Sequence, residues 1–491
     1  MPFDDLSFND LSLDNLEGLF PAEFGPEKIA RAKTAFFKNL SLALHRYYGG
    51  KIQILPRCGI YSLNWFNLWY TPGVSKISTT IREDGDASFE LTGRGNMVAV
   101  VSDSTRVLGD GDCGPSGGLG VMEGKALLMK YLGGIDAVPL CVDSRRRDGK
   151  NDPEKLIDFV KMVQHSFGAI NLEDISQPNC FRVLDELRES CDIPVWHDDA
   201  QGTACVTLAA LINALKLAGK PMDKAKMVLL GAGASNSTIA RFILADGGRG
   251  ENLTVFDNKG GLHLGREDLR VNAGAYRKWE LCERTNPGRI SSVAEAIKGA
   301  DVLIALSSPG PDTVKREWVR SMAPGAIVFA CANPVPEIWP YAAREEGAYI
   351  VATGRGDFPN QVNNSICFPG ILKGVLAVRA RKISDTMAIR CAHSIADFTA
   401  DRGISPDNII ATAEETDVFA REAADVAVAA RDEGLARLNR SWDDVYSQAR
   451  ADIAAARSLA GEMKRLGFIR EPPLDMLQGI LRQTLEEMND C

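Results

Sequence analysis

The alternation of short, β-branched apolar runs with helical segments between residues 96 and 354 constrains this chain more than any other feature. NMVAVVS (96–102), AVPLCVD (137–143), GAINLED (168–174) and IPVWHDD (193–199) read as four strands. Between them lie a glycine-rich loop (Gly109 to Gly120) leading into a helix through Leu127 and Met129, then helices over 152–166 and 179–190. Asp152 ahead of Pro153 is a helix-start signature. Strands alternating with helices predict a parallel sheet with crossover connections. A long helix over 202–219 leads into a second unit, with β-rich runs at 226–233, 253–257, 301–307, 325–332 and 348–354. That is the pattern of a doubly wound, Rossmann-like domain. From about Phe368 the chain turns helical and Ala-rich. The expected fold class is α/β, with an N-terminal segment (1–86), a first α/β domain (87–197, completed by about 364–440), a Rossmann-like domain (198–363) and a helical C-terminal extension (441–491).

Composition narrows the function classes. The 491 residues suggest about three domains at roughly 150 residues each. A hydrophobic share of 45% and a charged share of 25% are globular values. The net charge of -9 argues against a general nucleic-acid binder, which needs a basic face to displace counterions. Six acids and no Lys or Arg stand in residues 1–25, and nine acids against six bases in 441–491, leaving 50 of each between them. The acidity therefore belongs to the two ends. No uninterrupted apolar run of about 18 residues is present, so no membrane span is expected. The acidic N-terminus lacks the basic character of a secretory or mitochondrial signal. Eleven scattered cysteines without a CxxC pair argue against a disulfide framework or a zinc motif. A cytosolic protein is expected.

Two constellations carry chemistry. Gly231-Ala232-Gly233 follows a strand and opens a helix. The first glycine allows a tight turn, and the second lets a pyrophosphate approach the free N–H groups of the helix start, with Ala234 and Ser235 completing the cradle. Asn236 occupies a position where a small residue is expected, and its bulk predicts looser packing or a weaker cofactor grip. Asp257 ends the next strand and suits the ribose diol of NAD, whereas Lys259 suits the 2′-phosphate of NADP. The second constellation is acidic. Glu173-Asp174 and Asp198-Asp199 end successive strands, where ligand crevices form in parallel sheets. Converging carboxylates suit Mg²⁺ or Mn²⁺. Strand-end acids also serve as helix caps, and Asp198 could cap the helix that begins near Gly202. His197 reads as a structural histidine.

Seven segments resemble the malic enzyme family, above all its shorter bacterial type. They are WYTPGV (69–74), SDSTRVLGDGDCGPSGGLGVMEGKALL (102–128), NLEDISQPNCF (171–181), IPVWHDDAQGTA (193–204), GAGAS (231–235), CANPVPEI (331–338) and FPNQVNNSICFPG (358–370). They keep the family order over roughly 50–435. The sequence departs from the family at Ser104, Asp110, Trp196 and Asn236, and residues 1–45 and about 441–491 have no clear counterpart in the short type.

The resemblance implies oxidative decarboxylation of L-malate to pyruvate and CO2, with NAD or NADP and Mg²⁺ or Mn²⁺. By position it implies Glu173, Asp174 and Asp199 as metal ligands, Lys125 as general base, Tyr70 as general acid, and Asp198 as a further catalytic group. It also implies Arg106, Asn333 and Asn364 as holders of the substrate carboxylates, with Asn333 also facing the cofactor. A lysine base needs a pKa depressed by burial and by neighbouring positive charge, here from Arg106 and the metal. Arg106 offers a carboxylate the two-pronged fit that lysine lacks. A homodimer or homotetramer is expected, with no nucleic-acid or membrane partner. Alternatives are another 2-hydroxy acid, a malolactic reaction on the same fold, or a catalytically retired binding protein.

Overall fold

The computed structural model describes residue 16 and residues 18–107 and 109–489. The acidic residues 1–15, with Glu17, lie outside the described residues, as does Cys491. The chain forms two compact units, one from residues 1–54 with 455–491 and one from residues 55–454.

The smaller unit is helical. Its Pro26–Tyr48 helix starts with proline in the first turn, where the missing N–H costs nothing, and stops at Gly49 in the left-handed conformation (φ 70°). It packs on the Leu474–Asn489 helix. Phe20, Phe36 and Leu40 meet Leu477, Leu481 and Met488 in the shared core. The Tyr47 and Tyr48 hydroxyls donate to the carbonyls of Glu471 and Arg470 at 2.8 and 2.9 Å.

The larger unit holds two sheets. The first contains β1 (Met97–Ser102), β2 (Asp136–Cys141), β3 (Ala169–Leu172) and β4 (Val195–His197), in the order β2-β1-β3-β4 and parallel throughout. The second contains β5 (Met227–Leu230), β6 (Leu253–Asp257), the two-residue β7 (Gly260–Gly261), β8 (Val302–Ala305), β9 (Ile327–Ala330) and β10 (Ile350–Thr353). Its order is β10-β9-β8-β5-β6-β7, parallel except for β7. Strands buried on both faces by helices need apolar side chains at every position, which is why they read as continuous runs rather than alternating ones.

The strand expected over 193–199 is shorter. It stops at His197, and Asp198–Gly202 forms one wide π-type turn ahead of the Thr203–Ala218 helix. Gly202 is required there, because a Cβ would lie 2.0 Å from Asp198 Oδ1. Such turns cluster at functional sites. The segment Asp198–Ala218 is long and apolar enough to cross a membrane by composition, yet 78% of its most apolar 18-residue window is buried within the fold. It is a core helix, packed on the Ala234–Ala245 and Asp385–Asp401 helices. The Phe368–Ala377 helix lies close against the Asp417–Asp432 helix, because a Cβ on Gly374 would lie 2.5 Å from the Ala423 carbonyl oxygen.

Candidate active site

The loops that leave β1, β3 and β4 at their C-terminal ends carry Arg106, Glu173-Asp174 and Asp198-Asp199. The Leu119–Gly133 helix, which crosses from β1 to β2, presents Lys125 to them. The Lys125 ammonium pairs with Asp198 Oδ2, lies 3.1 Å from Glu173 Oε1, and donates to Asn364 Oδ1 at 3.3 Å. The Phe368 ring lies beneath it, with its centroid 4.6 Å from Nζ. The second Asp198 oxygen accepts from the Trp196 indole N–H at 3.2 Å. Trp196, noted above only as a departure from the family, thus has a defined contact.

Carboxylate oxygens of Glu173, Asp174 and Asp199 all lie within 4.8 Å of one another. Asn171 Nδ2 donates to Glu173 Oε2 at 2.9 Å, and the Asp174 backbone N–H donates to Asp199 Oδ2 at 2.7 Å. Asp174 holds a left-handed φ of 53°, an uncommon conformation for a residue with a side chain. The two acidic pairs therefore converge. Three carboxylates (Glu173, Asp198, Asp199) act on the Lys125 ammonium, and Asp174 joins Glu173 and Asp199. Burial lifts the pKa of Glu173 well above the carboxylate range; Lys125 opposes this, while Asp199, Asp198 and Asp174 add to it. Burial raises Asp198 as well, against the pull of Lys125. Such an excess of hard oxygen donors fits a divalent cation of the Mg²⁺ or Mn²⁺ type.

Lys125 departs from the depressed pKa expected of it. Burial pulls its pKa down, but the carboxylates of Asp198, Glu173 and Asp199 outweigh burial, and the net shift is upward. Unlike charges this close favour the charged form more than desolvation disfavours it. His197 is buried, and burial holds its pKa below the usual value. Its Nδ1 lies 3.9 Å from Asp199 Oδ2.

Arg106 is exposed, and its backbone N–H donates to the Asp174 carbonyl at 3.0 Å, beside the acidic cluster. Its guanidinium has no partner among the described residues. Ser104, at the root of this loop, has φ 57°, where glycine is the default residue. Its hydroxyl donates to the Pro115 carbonyl at 3.2 Å. Asn333 follows β9, and its carbonyl oxygen lies 2.9 Å from where a Cβ on Gly109 would be, so the two loops touch. Tyr70 stands apart. It is 71% exposed, and the neighbouring Trp69 donates its indole N–H to the Gly59 carbonyl at 3.1 Å. Arg57, two residues before Gly59, bonds Asp136 at the start of β2, the sheet end away from the carboxylates.

The glycine turn stands at the end of β5. Gly231 has φ 97°, and a Cβ there would lie 2.4 Å from the Leu306 carbonyl oxygen. Gly233 caps the Ala234–Ala245 helix. Asn236 corrects the expectation of loose packing. It is fully buried, and its Nδ2 donates to the carbonyls of Leu230 and Gly231, each at 2.9 Å, tying the helix to the turn. Ser235 donates its hydroxyl to the Asp199 carbonyl at 2.9 Å, so the nucleotide turn and the acidic cluster share a hydrogen bond. Asp257 is held in a fork by Arg266, with both Nη–Oδ distances 2.9 Å, and Lys278 lies 3.6 Å away. Burial works against the Asp257 carboxylate, but Arg266 and Lys278 bring its pKa below the ordinary value. Lys259 turns to Asp268 at 3.2 Å.

Sequence reading missed Asn171, Phe368, Arg266, Lys278 and Glu337. Glu337 is buried and accepts from the backbone N–H groups of Ser307 (2.7 Å) and Ala332 (2.9 Å), fixing the loops after β8 and β9. Asn171 and Glu337 lie inside segments already singled out. Arg266 and Lys278 carry no motif.

Residues 61–188 match the family model for the malic enzyme N-terminal domain, and residues 200–430 that for the malic enzyme NAD binding domain. The crystal structure of Entamoeba histolytica malic enzyme is 58% identical and superposes with a TM-score of 0.95 over 98% of each chain. The bifunctional malic/malolactic enzyme of Bacillus subtilis is 41% identical over 411 residues, 84% of this chain and 97% of that one. The NAD-dependent malic enzyme of Geobacillus stearothermophilus is 41% identical over 413 residues, 84% of this chain and 82% of that one. With a glycine turn, an acidic cluster and a largely buried lysine gathered at the C-terminal ends of parallel strands in two sheets, the chain belongs to the malic enzyme family, the NAD- or NADP-dependent decarboxylating oxidoreductases of malate.

Proposed function

We propose that Glu173, Asp174 and Asp199 hold the divalent cation for the oxidative decarboxylation of L-malate to pyruvate and CO2, with Lys125 handling the C2 hydroxyl proton. The observation that carries this reading is the convergence of three carboxylates on the crevice that also holds the part-buried Lys125–Asp198 pair. A cation held there would supply Lewis-acid polarisation, and NAD(P)⁺ in the glycine cradle would supply the hydride acceptor. Lys125 has Asp198 and Asn364 as partners, a proton acceptor on one side and an amide that orients it on the other. Trp196 keeps the far oxygen of Asp198 hydrogen-bonded, which fixes the carboxylate for that exchange. Arg106 offers its unpaired fork to a substrate carboxylate, and Asn333 and Asn364 bound the same space. Gly231, Gly233, Ala234 and Ser235 form the cradle for the cofactor pyrophosphate, with Asp257 and Lys259 at the ribose end. In this reading the 87–197 region, with about 364–440, handles substrate and metal, and 198–363 the nucleotide.

Tyr70 supplies the proton to the substrate carbon from a second copy of the chain. Its exposure, and that of its neighbours Tyr61 (80%), Leu63 (81%) and Leu68 (58%), supports a homodimer joined through this segment. Among the described residues no cysteine forms a disulfide, which supports a reducing, cytosolic setting. The test is Lys125→Ala. It is expected to lower kcat with malate and Mn²⁺ by at least about a hundredfold, with NAD(P)⁺ binding retained. Near-normal turnover removes Lys125 from the mechanism. Lactate in place of pyruvate, with no net NAD(P)H, would identify the malolactic reaction instead.

A further inference from the structure

Three cysteines far apart in sequence meet in the core of the larger unit. Cys205 lies in the first turn of the Thr203–Ala218 helix, Cys367 caps the Phe368–Ala377 helix, and Cys391 lies within the Asp385–Asp401 helix. Their Sγ atoms all lie within 4.8 Å of one another, and each residue is 0% exposed. Glu422, on the Asp417–Asp432 helix, touches one of the three. It is also 0% exposed, and its Oε2 lies 3.3 Å from Cys391 Sγ. Its Oε1 is buried without a hydrogen-bond partner, and no Lys or Arg pairs with it among the described residues.

Buried carboxylates are paired or bind metals, because an isolated charge in the core is costly. The fold makes room for this group nonetheless. A Cβ on Gly370 would lie 2.3 Å from Glu422 Oε2, so glycine is needed opposite the carboxylate. The distances also suit a metal. Tetrahedral zinc with Zn–S bonds of about 2.3 Å places its sulfurs about 3.8 Å apart, and a sulfur and a carboxylate oxygen about 3.5 Å apart. Cys367 and Cys391 are 3.8 Å apart, and Cys391 and Glu422 3.3 Å. Two helix N-termini, those carrying Cys205 and Cys367, favour negative charge here. The Cys205 thiol donates to the Ala388 carbonyl at 2.8 Å, and metal binding would release that proton.

We propose that Cys205, Cys367, Cys391 and Glu422 form a structural site for one thiophilic divalent cation of the zinc type. Soft thiolate donors separate it chemically from the all-oxygen cluster at Glu173, Asp174 and Asp199. The site joins four helices. It lies next in sequence to Phe368, which underlies Lys125, and three residues beyond Asn364, which accepts from it. A cation here locks those two contacts in place. The proposal does not depend on the catalytic roles assigned above.

The experiment is metal analysis of the full chain, produced in zinc-supplemented medium and dialysed against EDTA. About one zinc per chain is expected to survive dialysis. Glu422→Gln and Cys391→Ser are expected to lower that to below about a tenth, and Glu173→Gln to leave it unchanged. Cobalt-substituted protein is expected to show thiolate-to-cobalt charge-transfer bands, a readout that needs no variant. Less than about a tenth of a zinc in the wild-type chain, with all three thiols free on denaturation, overturns the proposal in favour of packed thiols. A Cys367–Cys391 disulfide in peptide maps of the wild-type chain overturns it too.

Discussion

Asp257 and Arg266 show how one side chain changes the meaning of another. An acid at the end of the second strand of a nucleotide-binding unit suits a ribose diol, which points to NAD. Here both of its oxygens are engaged by the Arg266 fork, and Lys278 and Lys259 stand nearby. Three cations stand around Asp257 and Asp268, an excess of positive charge that would favour a 2′-phosphate. Arg266→Ala is expected to raise the KM for NADP⁺ about tenfold or more while changing that for NAD⁺ less than about threefold, as read by steady-state kinetics with each cofactor. Equal changes for both cofactors would show that the guanidinium only orders Asp257. Asn236 teaches a similar lesson. A bulkier side chain in a glycine turn predicts a weaker fit, but its amide satisfies two carbonyls that a glycine or alanine would leave to other donors.

The helices set the site by where they start and what they lean on. The π-type turn at Asp198–Gly202 aims Asp198 at Lys125 and leaves Asp199 for the acidic cluster, a division that a regular helical turn would not make. The Ala234–Ala245 helix is anchored at both ends, by Asn236 and Ser235 at its start and by Asp246 at its stop. Asp246 accepts from His393 of the Asp385–Asp401 helix at 2.7 Å. That hydrogen bond raises the His393 pKa, and burial opposes it. A histidine raised in the folded state stabilises the fold fully below its unfolded pKa, and the contribution is lost as pH climbs through the folded pKa. His393→Gln is therefore expected to lower Tm more at mildly acidic than at mildly alkaline pH, as followed by thermal melts across that range. A pH-independent decrement would assign the residue a packing role only.

At the scale of the whole molecule, one chain brings Lys125, Asp198, Glu173, Asp174, Asp199 and Asn364 together and leaves Tyr70 exposed. A two-copy site gives a sharp expectation. Tyr70→Phe and Lys125→Ala, each nearly inactive alone, regain activity when mixed and allowed to exchange subunits, because half the dimers then contain one intact site. Recovery to about a quarter of the wild-type rate is expected, against no recovery if both residues act within one chain.

Sequence alone determined the parallel α/β plan, the glycine turn at Gly231 and the two acidic pairs at strand ends, because each is a pattern among near neighbours. Strand alternation, turn glycines and helix caps are local physics. Only the tertiary structure decided how those pieces interact. Lys125 meets Asp198 and Asn364 across separations of 73 and 239 residues, and the cysteines converge from three helices with no short spacing to reveal them. The charge state of Lys125 was illegible for the same reason. It depends on the balance between desolvation and three carboxylates, and that balance exists only once the crossover connections have folded the strand ends into one crevice.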